Sequence, residues 1–209
     1  MGTRTVQEIV DHVKRQFGDE ASVQITDADI IRWINAGQIE ILNKNPVLKT
    51  QAVTDVVADQ VIYTLPDILF IQTVMYNNRP IEQKSFQEAQ EYILKDAVPQ
   101  GPPTLWWEYG GNINLYPTPT EALVNGLTIY YVKLPAVVTA GADAIELPDR
   151  YYNTLVNYVM AQAYEQDDDW TASGNKVSQF EAGMNVLAEE QSPNNRNTYP
   201  TITVLPEDM

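Results

Sequence analysis

The feature that most constrains this chain is a double change of hydrophobic period. Apolar residues recur at helical spacing near both ends and at strand-like spacing in the middle. Val6, Ile9, Val10, Val13 and Phe17 fall on one helical face. Thr5 and Glu8 have the spacing of a capping box before that face, and Gly18 stands where a left-handed terminating residue is wanted. A second helix is predicted after Thr26, with Asp27 and Asp29 in its first turn, ending at Asn45-Pro46. Its apolar residues, Ile30 to Leu42, spread beyond one narrow stripe, which predicts burial on two sides.

From Gln51 to Leu134 the alternation becomes strand-like. Val61–Leu65, Ile68–Tyr76, Leu105–Tyr109, Ile113–Tyr116 and Leu127–Leu134 read as strands. Asn77-Asn78 and Gly110-Gly111-Asn112 read as hairpin turns, because asparagine and glycine tolerate positive φ. Ser85 and Glu88 open a short helix within this region, and the prolines of Val98–Thr104 enforce an extended loop. Helix returns after Leu147-Pro148-Asp149, breaks at Asp167-Asp168-Asp169, and resumes from about Asn175 to Glu190.

The fold class read from this order is α+β. An antiparallel helical bundle of about four helices carries an inserted antiparallel β-rich domain and an extended C-terminal arm. The bundle's halves are residues 1–50 and 147–190, the insertion is 51–146, and the arm is 191–209. No internal repeat of fixed period occurs. The arm holds three prolines and the β-prone run Thr201–Leu205. It reads either as a frayed terminus or as a segment that docks on a neighbour, and its apolar content favours the second.

Chemistry is sparse. With no cysteine, the sequence offers no disulfide, thiolate ligand or thiol nucleophile. His12 is the only histidine, and its position predicts a solvent-facing side chain. The consecutive Asp167–Asp169 lack the alternating ligands of a calcium loop. Phosphate-cradling glycine motifs and a nucleophile elbow are missing. An enzyme is therefore not expected, and neither a cofactor nor a metal. No apolar run is long enough to span a membrane, and MGTRTVQEIV lacks the apolar core of a signal peptide.

The net charge of −15 disfavours binding to phosphate backbones. It fits either simple solubility or a surface that lies near DNA without sticking to it. Trp106, Trp107 and Tyr109 form the one aromatic cluster suited to recognition. Alternation in a strand places the two tryptophans on opposite faces, so one is expected in the core and one at a rim. A carbohydrate- or protein-recognition module built on these three residues is the alternative reading.

Four stretches carry a family resemblance: DADIIRWINAGQIEI, VIYTLPDILFIQTVMYNNRPIEQKSFQEAQ, GGNINLYPTPT and IELPDRYYNTLVNYVMAQAYEQDDDW. In order and spacing the chain resembles the head-to-tail adaptors of tailed bacteriophages, especially the tubular tail protein A or gatekeeper type of short-tailed phages. The resemblance covers residues 5–190 and leaves the tail unmatched. It implies a virion structural protein, made in the host cytoplasm, that forms a dodecameric ring beneath the portal protein. Such a ring receives the tail tube or nozzle and lets DNA pass through its lumen without sequence-specific binding. Candidate interface residues are Trp106, Trp107 and Tyr109, with Tyr199, Ile202, Val204 and Leu205 in the arm.

Overall fold

The computed structural model describes residues 4–93 and 99–191. Among these the chain is α+β, with five α-helices and two four-stranded sheets. It divides into two compact units. One holds the described residues up to Asn45 and from Pro135 onward; the other spans Pro46–Leu134.

In the first unit, α1 (Val6–Phe17) buries Val6, Ile9, Val10 and Val13. Only half of its expected capping box forms. Thr5 Oγ1 accepts from the Glu8 N–H at 3.4 Å, but the Glu8 carboxylate turns to Arg4 at 2.9 Å instead of returning to the cap. Gly18 ends the helix with φ 86°. Helix α2 (Asp27–Lys44) has the complete reciprocal cap between Thr26 and Asp29. It is buried along a narrower band than its composition suggests, since Ile31 is half-buried and Ile39 is 40% exposed.

The turn between them is organised by Asp19. Its buried carboxylate accepts from the N–H groups of Val23, Gln24 and Ile25 at 2.8, 2.7 and 2.9 Å. These donors hold the Asp19 carboxyl below the ordinary carboxylate range, the bond from Ile25 most strongly and that from Val23 next.

Residues 135–146 bond to this unit, a boundary that hydrophobic period alone does not place. Asn35 donates to the Val138 carbonyl and accepts from its N–H, both at 2.9 Å. Val6 N–H donates to Asp143 O, and Ile145 N–H to Arg4 O.

A 3-10 turn, Asp149–Tyr151, leads into α4 (Tyr152–Gln166), which packs against α1, α2 and α5 (Trp170–Gln191). Helix α5 starts five residues before the predicted Asn175. The acidic triplet that ends α4 poorly starts α5 well: Asp169 Oδ1 accepts from the Ala172 N–H at 3.0 Å.

The second unit holds β1 (Lys49–Val56), β2 (Ile62–Thr64), β3 (Ile68–Tyr76), β4 (Arg79–Pro80), β5 (Glu82–Gln83), β6 (Leu105–Tyr109), β7 (Asn112–Tyr116) and β8 (Leu123–Lys133), with α3 (Phe86–Ile93) after β5. One sheet runs β1-β8-β3-β4, the other β2-β7-β6-β5. Every pair is antiparallel except β5 with β6.

Both predicted hairpins form. Asn77 and Asn78 have φ 46° and 60°, and Gly110 and Gly111 have φ 59° and 74°. The strand returning from Asn78 lasts two residues before the chain crosses to the other sheet as β5. Inward side chains of both sheets, including Val74, Trp106, Ile113, Leu127 and Ile129, share one core.

Candidate functional site

The aromatic cluster on β6 is assembled differently from the expectation of one core and one rim tryptophan. Alternation does send Trp106 and Trp107 to opposite faces, but both are buried, at 1% and 7% exposure. Trp106 belongs to the core shared by the sheets. Trp107 lies beneath α3, packed with Ala89 and Tyr116. The helix is fixed there by the full Ser85–Glu88 capping box: each backbone N–H meets the other side chain, at 2.8 and 3.3 Å.

A strand face covered by a helix cannot also serve as a rim. Tyr109 is the member left open, 59% exposed and stacked on Phe86 with ring centres 4.4 Å apart. The two tryptophans therefore provide no exposed aromatic platform of the kind a glycan-binding module requires. Tyr199, Ile202, Val204 and Leu205 lie outside the described residues.

His12 also departs from expectation. It is half-buried, with Nδ1 2.9 Å from the Tyr152 hydroxyl. Desolvation, then the charges of Arg15 and Lys176, lower its pKa. Arg4, Glu8, Asp11, Arg15 and Gln16 complete an open surface depression around the pair. Glu8 is engaged with Arg4. No group of three or more His, Asp or Glu among the described residues is placed to hold a metal.

Exposed apolar surface is more informative. On α5, Trp170, Val177 and Val186 are 64%, 42% and 55% exposed. Between Trp170 and Ala188 the helix has only two charged residues, Lys176 and Glu181, although charged residues make up 20% of the chain. The first sheet exposes Val53 and Tyr130 on its outer face, beside β1. Among the described residues strand β1 pairs only with β8, which leaves its other side an open sheet edge. Hydrophobic period singles out no individual strand there, because its exposed, polar residues carry little apolar alternation.

An edge strand without a second partner and uncovered apolar side chains leave surface open to protein contacts among the described residues. The chain belongs to the SU10 adaptor protein family, whose model matches residues 4–200. It is accordingly a phage adaptor, a structural component of the virion. A comparison with curated proteins finds no match. No described helix is long and apolar enough to cross a membrane.

Proposed function

We propose that this adaptor forms a homo-oligomeric ring at the head–tail junction, between the portal and the tail tube or nozzle, with the genome passing through its lumen. The observation that carries the reading is the adaptor match over residues 4–200. Dodecameric stoichiometry and a short-tailed particle follow from the resemblance to tubular tail and gatekeeper proteins. In this reading α1, α2, α4 and α5 act as an antiparallel bundle that carries the strand unit as an insertion. The role is structural, without turnover of a small molecule and without a cofactor.

Charge supports the arrangement. With 28 acidic against 13 basic side chains, a lumen lined by carboxylates repels DNA phosphates and lets the duplex slide during ejection. The exposed apolar residues of α5 and of the first sheet supply surface for neighbours. Tyr109 is the aromatic residue of β6 available to a partner, with Trp106 and Trp107 supporting it from within. The arm, residues 191–209, acts as an assembly element on the portal or on an adjacent adaptor.

Electron microscopy of the chain mixed with its portal tests the reading. The expected result is a ring coaxial with the portal. A chain that stays monomeric and never binds the portal overturns it.

A further inference from the structure

We infer that the free edge of β1 accepts a strand from a second copy of this chain, supplied by Thr201–Leu205 in antiparallel orientation, with Ile202 opposite Val53. The inference rests on the ring reading and adds the identity of one contact between its subunits.

The edge is unusually open for an eight-residue strand. Native sheets guard such edges with proline, inward charges or a covering element. Here Thr50–Thr54 is free of proline and charge and is exposed except at half-buried Ala52. The register bulge between Thr54 and Val56 closes one end. Asp55 at that end is occupied, accepting from the Asn125 N–H at 2.7 Å. Lys49 marks the other end and makes no ion pair among the described residues.

The segment Thr201-Ile202-Thr203-Val204-Leu205 has the same length as this stretch, no charge, and a β-branched residue at each of its first four positions. Pro206 then stops pairing, and Glu207 and Asp208 follow. Charge selects the orientation. Laid antiparallel, with Thr201 opposite Thr54 and Leu205 opposite Thr50, the acidic pair runs past unpaired Lys49. Laid parallel, it runs toward Asp55.

Side-chain facing selects the register. Ala52 sits opposite Ile129, which points into the core, so Val53 and Gln51 lie on the outer face with Thr128 and Tyr130. Ile202 opposite Val53 covers that exposed side chain, and Val204 opposite Gln51 extends the same outer face. A slip of one residue puts Ile202 and Val204 on the other face.

A second copy is the donor because donating a segment to a different surface on the next subunit is a heterologous contact, the kind that repeats around a closed ring. Nine residues, 192–200, link Gln191 to this segment, with a reach of at most about 30 Å. That distance suits a neighbour in the same ring.

The absence of native cysteine makes the test clean. Chains carrying only Val53→Cys are mixed with chains carrying only Ile202→Cys, assembled on portals and oxidised. Opposed residues of an antiparallel pair lie within disulfide range. A disulfide-linked dimer on a non-reducing gel is expected, with several-fold lower yield when Lys49→Glu is added.

If only the doubly substituted single chain closes a bond, the donor is its own tail and the inference is overturned. If Gln51→Cys links to Ile202→Cys in preference to Val53→Cys, the antiparallel register is overturned. Rings on portals without the 53–202 bond overturn this contact and leave the ring reading standing. The bond without rings upholds the contact and overturns the ring.

Discussion

Gly37 of α2 meets Leu155 of α4 so closely that a Cβ added to the glycine would stand 2.7 Å from Leu155 Cδ1 and 2.8 Å from the Tyr158 ring. Leu155 is in the core and has little room to retreat. On α5, Gly183 likewise faces α4, with Thr154 Oγ1 at 2.8 Å from the position of its missing Cβ. Both glycines occupy helix interiors, where alanine is intrinsically preferred by about 1 kcal/mol. Overpacking costs about 1–3 kcal/mol. Gly37→Ala and Gly183→Ala are therefore expected to lower Tm despite the better helix former. A rise in Tm by thermal melting would show that α4 gives way easily.

The neighbour of Gly37 gives a prediction of opposite sign. Gln38 is fully buried, and neither its Oε1 nor its Nε2 meets a hydrogen-bonding partner among the described residues. An unsatisfied buried polar group costs about 1–3 kcal/mol. Gln38→Met keeps the volume and removes both polar atoms. Chemical denaturation should show the variant more stable by about 1 kcal/mol or more. A less stable variant would mean that the amide is bonded in solution.

Much of this architecture was legible because it rests on local rules. The Thr26 and Ser85 caps, the Gly18 stop and the Asn77-Asn78 turn were readable from residue type and spacing. What was not legible depended on contacts distant in sequence. Strand β1 owes its existence to pairing with β8, distant in sequence (Val56 pairs with Leu123 and Lys49 with Val132), since its own pattern is polar. Residues 135–146 join the helical unit through Asn35. The burial of Trp107 required knowing that α3 folds back over β6. Residue type marks the Asp167–Asp169 triplet as a break after one helix, and only the contact of Asp169 with the Ala172 N–H shows that it also begins the next. The family resemblance was readable in order and spacing, whereas an open sheet edge emerges only from the strand order.

Trp107 and Tyr109 separate folding from assembly on one strand. Trp107 is 7% exposed beneath α3, and truncating such a residue costs about 3–5 kcal/mol. Trp107→Ala should lower Tm sharply and alter the near-ultraviolet circular dichroism of the strand unit. Tyr109 is 59% exposed and loses only its stacking on Phe86, so Tyr109→Ala should cost about 0.5–1.5 kcal/mol, well below the Trp107 variant. Any loss of head–tail joining in the Tyr109 variant would then report a lost contact with a partner. A comparable loss of stability in both variants would contradict this division.

Acid should loosen the α1–α2 turn through Asp19. Its folded pKa is depressed by the N–H donors of Ile25, Val23 and Gln24 and by Lys14, while the unfolded chain returns it to about 3.9. A depressed carboxyl contributes stability above its unfolded value and loses that contribution as pH falls through its folded value. His12, its folded pKa lowered, adds an earlier loss on acidification, beginning near its unfolded value of about 6.5. That loss occurs equally in the parent and in Asp19→Asn, so the difference between the two chains isolates Asp19. At neutral pH the variant should melt below the parent. The gap should narrow as pH falls below about 4, because the parent then also loses its carboxylate. A gap that stays constant down to the acid transition would assign the cost of the substitution to geometry rather than to charge.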